Sequence, residues 1–436
     1  MPSLFSKGLN GVKAPHCKNT AGCEAVRMPV PDKVVIPMSQ HMGKPCDLLV
    51  NVGDTVTVGQ RIGDSDAFLS APIHSSVSGS VTAIIDFVTS DGAKCKAAVI
   101  ETDKLQTVCP DVKPPVVENH ADLIKAARDC GLVGQGGAGF PTHIKINPKN
   151  LDEVDTLVVN GAECEPFITA DMRMMLDRTD DLLGGIRLIL KHLNLKKAII
   201  AIEDNKPECI SKLQQLTADD PTIEVKALPA KYPKGAEKVT IFETTGRTVM
   251  EGQLPADAGV IVMNVTSLAK LNEFVRTGMP LVEKTLTIDG GAVAEPKNII
   301  APIGAEIKDM IAFCGGYKKP AKKIFMGGPM MGIVVVNDEF PLLKNNNAII
   351  AFDEVQAKAD QETACIRCGR CVRACPYNLA PAALDHAYHH EDLEALEKLK
   401  VNLCMECGCC AFACPAKRHL VMYNRMGKKI LRDSKN

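Results

Sequence analysis

The sequence contains no tryptophan, and Phe and Tyr bring the aromatic share to only 4% of 436 residues. Single-strand nucleic-acid platforms stack bases on aromatic faces, so this composition argues against one. An excess of one charge is also missing: 51 Lys and Arg stand against 52 Asp and Glu, a formal net charge of −1. Nucleic-acid binders carry a basic surplus instead. No apolar run reaches the roughly 18–20 residues of a membrane-spanning helix. From Met1 to Val30 the chain is interrupted by Pro, Gly and polar groups and holds no apolar stretch of a secretory signal. The expectation is a chain with no span of its own, cytosolic or held at a membrane through partners. Against these absences stand 18 cysteines. In a reducing compartment they do not read as a disulfide framework, but as metal ligands, redox groups or small core residues.

Nine of the 18 cysteines fall between Cys365 and Cys414, and eight of these form two matching runs. The first is Cys365, Cys368, Cys371 and Cys375, then Pro376. The second is Cys404, Cys407, Cys410 and Cys414, then Pro415. The two make an internal repeat, one constant offset carrying Cys365 onto Cys404 and Pro376 onto Pro415. The pattern C-x2-C-x2-C-x3-C-P is that of bacterial two-cluster ferredoxins, where the fourth cysteine of each run ligates the other cluster. Three thiolates on a tight loop reach three irons of one cubane. The fourth, placed where a helix begins, points to the second. One [4Fe-4S] cluster would take Cys365, Cys368, Cys371 and Cys414; the other would take Cys404, Cys407, Cys410 and Cys375. Zinc sites use paired C-x2-C knuckles with long gaps, a different pattern. Cys409 lies outside the ligand register and is expected to be a bystander. Residues 382–403, with no Pro or Gly and leucines at helical spacing, predict one or two helices.

The rest of the chain changes character by region. Short apolar stretches and closely spaced glycines predict all-β structure over 31–110. Over 121–275, "DTLVVN", "KAIIAI" and "GVIVMN" are short buried-strand patterns, each followed by a polar loop and a helical pattern. That alternation predicts a parallel α/β sheet. Residues 276–345 return to short strands with one helix in "GAEIKDMIAFCGG", and "GKKILRDSKN" reads as a solvated tail. Length alone suggests roughly two to four domains.

Two loops in the α/β region carry chemistry. "GQGGAGFPTHIK" at 134–145 places four glycines within six residues, which lets backbone N–H groups approach and cradle a phosphate, with Lys145 adding charge. It lacks the Gly-Lys-Ser/Thr of a Walker loop and follows a helical pattern rather than the strand of a Rossmann fingerprint. "DTLVVN" runs into "GAECEP", so Asn160, Glu163 and Glu165 lie at a strand's C-terminal end, the ligand side of an open α/β sheet. Acidic groups there suit ribose or ribityl hydroxyls. Asn264 and Thr266, after "GVIVMN", point to the same edge.

These motifs resemble the flavin- and NADH-binding subunit of respiratory complex I and of NAD-linked hydrogenases. That family reads G-R-G-G-A-G-F-P-T-G-x-K at the loop and N-A-D-E-S-E-P at the strand end. The segments "IPMSQHMGKPC", "VGDTVTVGQ", "APIHSSVSGSV" and "QLPADAGVIVMNV" are more closely similar to the C subunits of Rnf electron-transport complexes, across nearly the whole chain. The resemblance implies five parts: an N-terminal extension (1–30), a barrel-sandwich hybrid domain (31–112), a Rossmann-like α/β domain binding FMN and NADH (113–275), a β-grasp module (276–350) and a two-cluster ferredoxin-type domain (351–436). It implies FMN contacts from Gly134, Gly136, Gly137, Gly139, Lys145, Asn160, Glu163, Asn264 and Thr266. Phe140 and Glu165, with Glu203 as a weaker match, fall at NADH-binding positions. Among the departures from the complex I pattern, Gln135 replaces the loop arginine, and Ala162 replaces the aspartate of the acidic strand end.

The resemblance further implies a peripheral redox subunit on the cytoplasmic face of the cell membrane. It would exchange hydride between NAD(H) and FMN and single electrons between FMN and two clusters. Integral and iron–sulfur subunits would be its partners and ferredoxin an indirect one, with Na+ or H+ moved by other subunits. The hybrid domain is similar to lipoyl and biotinyl carriers, but "GDSDAFLSAP" holds no Lys, so a swinging arm is not expected there. Two alternatives remain at this point. One is a soluble NADH-dependent reductase, similar to the cobalamin reductase of bacterial microcompartments. The other is an electron-transfer adaptor with clusters and no nucleotide site.

Overall fold

The computed structural model describes residues 9–90 and 92–435; the start of the expected N-terminal extension, before Leu9, lies outside them. Leu157, Val158 and Val159 form one continuous apolar run and are fully buried, as a strand covered on both faces requires. Their strand, Thr156–Gly161, is interior to a four-stranded parallel sheet. The order is Ile223–Leu228, Lys197–Glu203, Thr156–Gly161, Val260–Asn264. The three strands expected from sequence are joined by Ile223–Leu228, whose mixed "IEVKAL" pattern hid it. Helices Thr179–Leu193 and Val265–Thr277 pack together against the sheet and fill its core with Leu182, Ile186, Leu268 and Leu271.

Ahead of this domain, Lys33–Pro37, Lys94–Thr102, Gly79–Val88 and Thr55–Val56 form one sheet. Asp47–Leu48, Arg61–Asp64 and Ile73–His74 form a second, with Val34, Ile36, Ile62 and Ile73 between them. The segment where carriers have their lysine follows Asp64 and exposes Phe68. After the α/β domain, six strands form a mixed sheet. Its order is Val26–Arg27, Lys297–Pro302, Glu283–Asp289, Ala348–Phe352, Lys323–Met326, Ile333–Val335, with helix Ile307–Phe313 on it. The first strand comes from the N-terminal extension. It pairs Val26 with Ile299 and Arg27 with Ile300, across the whole hybrid and α/β domains. Pairing of this kind leaves no local signal.

The C-terminal region is helical. The expected helices are Pro381–His389 and Leu393–Lys398. Two expectations need correction. Of the segment read as a solvated tail, Gly427 to Asp433 belong to helix Leu420–Asp433, which buries Leu431 against Leu384 and Leu396. A basic surface masked an amphipathic stripe. The fourth cysteine of each run also does not stand where a helix begins. Cys375 follows the short helix Arg370–Ala374, and Cys414 lies just beyond Cys409–Phe412. The repeat itself extends to the backbone. Arg367 and Glu406, Gly369 and Gly408, and Asn378 and Lys417 all have left-handed φ, and each pair is related by the offset that relates the cysteines.

Candidate functional site

Strand register fixes the centre of the site. Asn160 and Asn264 are paired neighbours at the C-terminal edge of the parallel sheet. Asn264 also caps helix Val265–Thr277, its Oδ1 accepting from Thr266 N at 2.8 Å, which satisfies a donor the helix start leaves open. The glycine loop comes over this cap. Gln135 N donates to Ser267 Oγ at 3.2 Å, and a Cβ on Gly136 would stand 3.1 Å from Asn264 Nδ2. Asn160 Nδ2 donates to Gly235 O at 2.8 Å. Lys145 reaches the same edge, its Nζ 2.8 Å from Glu237 Oε1. The structure thus brings together Gly134, Gly136, Gly137, Gly139, Lys145, Asn160, Asn264 and Thr266. Phe140, half-buried, closes the loop through Gly134 N donating to Phe140 O at 2.9 Å.

The acidic loop sits beside this edge, but its carboxylates are already engaged. Glu163, with a left-handed φ of 49°, accepts from Asp171 N at 2.6 Å and Met172 N at 3.2 Å. It thereby caps helix Ala170–Asp177, where the dipole favours negative charge. Burial pushes its carboxyl up, and Lys18 opposes the shift. Glu165 accepts from Met330 N at 3.0 Å and Met331 N at 2.8 Å, tying the α/β domain to the β-grasp module. Burial pushes Glu165 up to about 7, and these two N–H groups hold it back. Glu203 lies beneath the loop, 2% exposed, with Lys206 Nζ at 3.4 Å.

Sequence reasoning missed the groups that hold these loops. Lys18 Nζ donates to the carbonyls of Glu163 and Glu165 at 2.9 Å and of Ile168 at 2.5 Å. Lys206 Nζ donates to Ala162 O at 2.6 Å. Asp171 is buried and accepts from Asn264 Nδ2 and Thr266 Oγ1, each at 2.8 Å. Lys284 Nζ, from the β-grasp sheet, donates to Gln135 Oε1 at 2.8 Å, and burial pulls its pKa down to about 7. That contact accounts for the departure at 135, since an arginine there would set a second cation against a buried one. The one available signal was Lys284 itself, a cation on the buried face of an alternating strand.

FMN fits this arrangement on one observation above others. Gly137 lacks the left-handed backbone that demands glycine, and a Cβ on it would meet nothing within 4 Å. No contact within the chain requires glycine there, whereas a ligand lying against the loop does.

The cysteine runs form two cavities. One, of about 270 Å³, is lined by Cys365, Cys368, Cys371 and Cys414. A tighter one is lined by Cys375, Cys404, Cys407 and Cys410, with Cys409 in its wall. Each crossed set of four thiols is therefore gathered round its own space. Among the described residues no three Cys, His, Asp or Glu side chains converge on a single ion, and every cysteine is free of disulfides. Thiols that ring a cavity suit the spread irons of a cubane better than the single centre of zinc. Cys409 is fully buried and turns its thiol to Tyr232 O at 3.9 Å. Tyr232, Cys164 and Met330 pack with Cys407, Cys409 and Met405, so the second set abuts the α/β domain. Cys365 and Cys368 of the first set are exposed.

Comparison with known proteins matches four family models in order. They are the RnfC barrel sandwich hybrid domain (residues 7–105), the Nuo51 FMN-binding domain (127–273), the SLBB domain (285–334) and the 4Fe-4S dicluster domain (364–418). The chain is 44% identical to the C subunit of the proton-translocating ferredoxin:NAD(+) oxidoreductase complex of Clostridium ljungdahlii, covering 94% of this chain and 90% of that one. It is 42% identical to the C subunit of the Na(+)-translocating complex of Acetobacterium woodii, covering 80% of each. A crystal structure of an NAD+-reducing [NiFe]-hydrogenase shares the fold, with a TM-score of 0.52 at 19% identity over 72% of this chain and 63% of that one. With a hybrid domain, a flavin domain, a β-grasp module and a two-cluster domain in this order, the chain belongs to the family of C subunits of Rnf-type ion-translocating ferredoxin:NAD(+) oxidoreductase complexes.

Proposed function

We propose that the chain is the NADH- and FMN-binding iron–sulfur subunit of a membrane-bound ferredoxin:NAD(+) oxidoreductase, attached through partner subunits at the cytoplasmic face. FMN, when bound, supplies the conversion between hydride and single-electron chemistry, and two [4Fe-4S] clusters carry electrons one at a time. The protein's part is to bind and aim. The backbone of Gly134, Gly136, Gly137 and Gly139 cradles the phosphate, with Lys145 adding charge and Asn264 and Thr266 presenting a helix start. Asn160 and Glu163 flank the ribityl and ring end, Glu163 through the loop backbone that its carboxylate fixes. Phe140 offers a face to the nicotinamide nucleotide. Glu165 lies on the neighbouring loop with Glu203 beneath it, and a ribose would take Glu165 over from Met330 and Met331. The working parts are 1–30, 31–112, 113–275, 276–350 and 351–436, the β-grasp module closing with the strand that ends at Phe352.

The observation that carries this reading is the contact of Tyr232 and Cys164 with Cys407 and Cys409. The same α/β domain that gathers the FMN set also covers one thiol set, leaving the other exposed. Electrons can thus pass from the flavin edge to the buried set and on to the exposed one. No helix among the described residues is long and apolar enough to cross a membrane, so the translocated ion passes through other subunits. Anaerobic purification with iron, sulfide and flavin analysis tests the reading. About eight irons and one FMN per chain are expected, and zinc as the main metal, or no flavin, overturns it.

A further inference from the structure

Fourteen arginines occur in the sequence. Eleven have a carboxylate oxygen within 4 Å. Among the described residues, the three that have none are Arg367, Arg370 and Arg373, and all three lie between the cysteines of the first run. All three are exposed. From Thr363 to Leu384 there is no Asp, Glu or Lys. Nearby acids face other cations: Asp360 pairs with Lys417, and Asp385 and Glu362 share Arg418. Three cations without a carboxylate partner therefore surround the first thiol set, on a chain whose formal net charge is −1.

The internal repeat says what such a face is for. The offset that carries Cys365 onto Cys404 also carries Ile366, Arg367, Arg370 and Arg373 onto Met405, Glu406, Cys409 and Phe412. On the second run most of that face is covered, with Phe412, 50% exposed, at its margin. Met405 and Cys409 pack under Tyr232, Val12 and Met330, and Cys409 is 0% exposed. Glu406, the one charge there, is paired with Arg425 and Lys428. On the first run the equivalent face is bare: Ile366 is 67% and Val372 39% exposed. One run docks against the flavin domain of its own chain, and its twin presents an apolar centre ringed by unpaired cations.

We infer that Arg367, Arg370 and Arg373, around exposed Ile366 and Val372, form the docking surface for an acidic electron-transfer protein or domain that carries its own redox centre near its surface. The proposal rests on the function proposed above. One electron crosses the contact at a time, so the partner is oxidised when this chain is reduced, and the reverse. Unpaired arginines steer an acidic partner to the exposed thiol set and fix its orientation. They also repel a basic one.

The test uses the anaerobically purified, cluster- and FMN-loaded chain, with an acidic two-cluster ferredoxin as the probe. Probe affinity is measured by titration between ~50 and ~300 mM salt, where surface electrostatics are progressively screened. Iron content and NADH-driven flavin reduction are measured in parallel. The variant Arg367→Gln/Arg370→Gln/Arg373→Gln should bind the probe at least about tenfold more weakly at low salt and lose the salt dependence. Its NADH-driven flavin reduction should be unchanged. The Lys triple variant should keep most of the affinity, and Arg187→Gln/Arg276→Gln, on the α/β domain, all of it. If the Gln triple variant loses iron, Arg370→Glu alone decides, because that side chain makes no hydrogen bond among the described residues. Wild-type affinity in the Gln triple variant, or in Arg370→Glu where that variant decides, overturns the proposal. So does arginine-dependent binding to phosphatidylglycerol vesicles with no binding to the probe, which would make this face a membrane contact. If wild-type chain lacks the clusters or NADH fails to reduce its flavin, the functional reading falls and the proposal with it. If both hold and only the probe result fails, the docking surface alone is wrong.

Discussion

At Gly137 a side chain would extend into open space that nothing in the chain occupies. Gly137→Val is therefore expected to leave the fold and the iron content intact while abolishing FMN binding, because the methyls would fill the cradle. Flavin and iron analysis of the same sample checks this, and FMN retained at wild-type stoichiometry contradicts it. A second residue-scale effect concerns Asn424, 1% exposed, whose Nδ2 donates to Cys404 Sγ at 3.5 Å. Hydrogen bonds to cluster sulfur favour the more negative, reduced state. Asn424→Leu should lower the potential of the cluster held by Cys404. A bond worth about 1 kcal/mol corresponds to roughly 40 mV for one electron. Redox titration followed by electron paramagnetic resonance reads the shift, and a rise in potential contradicts the assignment. Legibility at this scale was uneven. Cysteine spacing and the glycine loop are local patterns and were readable. Lys18 was not, because its acceptors, the carbonyls of Glu163, Glu165 and Ile168, lie in a different domain of the chain, and no residue near it signals that contact.

The two cysteine runs act as elements, each fixed by a loop with paired left-handed residues and a short helix. Cys365→Ala should lose about half of the roughly eight irons, since one cubane loses a ligand. Cys409→Ala should retain them and cost only the packing against Tyr232. Equal iron loss in both variants contradicts the ligand sets. The acidic loop gives a pH effect. Glu165 is held near 7 in the folded chain by burial, above its ordinary value of about 4.3. The folded state therefore binds that proton more tightly. Stability from this group is full below about 4.3 and is lost as pH rises through about 7. Amide protection at Met330 and Met331, corrected for intrinsic exchange, should fall between about pH 5 and pH 8 as the buried carboxylate ionises. Glu165→Gln should flatten that dependence; an unchanged profile contradicts the cause. Elements with strong period were readable from sequence, including the strands at Asn160 and Asn264. The strand Ile223–Leu228 was not, because as the edge strand of the sheet it carries exposed Glu224 and half-buried Lys226. The C-terminal helix was hidden by its many cations, of which Arg425, Lys429 and Arg432 are exposed.

For the whole molecule, three domains grip one loop. The hybrid domain does so through Met42 N donating to Gly139 O at 3.0 Å, and the β-grasp module through Lys284 on Gln135 and Asn345 Nδ2 on Gly137 O at 2.8 Å. Helix Val265–Thr277 holds it from below. The domain order was legible because each region has its own hydrophobic period. The convergence was not, since Met42, Lys284 and Asn345 reach the loop from positions far from it in the sequence. The hybrid domain, without a carrier lysine, instead holds the glycine loop through Met42. The central claim is that NADH enters at this braced edge and that its electrons reach the thiol-held clusters through FMN. The most direct measurement adds NADH anaerobically to the FMN- and cluster-loaded chain alone and follows the flavin absorbance together with the cluster paramagnetic signals. The account predicts that NADH bleaches the flavin, that any reduced-cluster signal NADH elicits requires FMN, and that Gly137→Val abolishes both while dithionite still reduces its clusters. Flavin that stays oxidised under excess NADH in a fully loaded chain, or clusters that NADH reduces equally well without FMN, would contradict it.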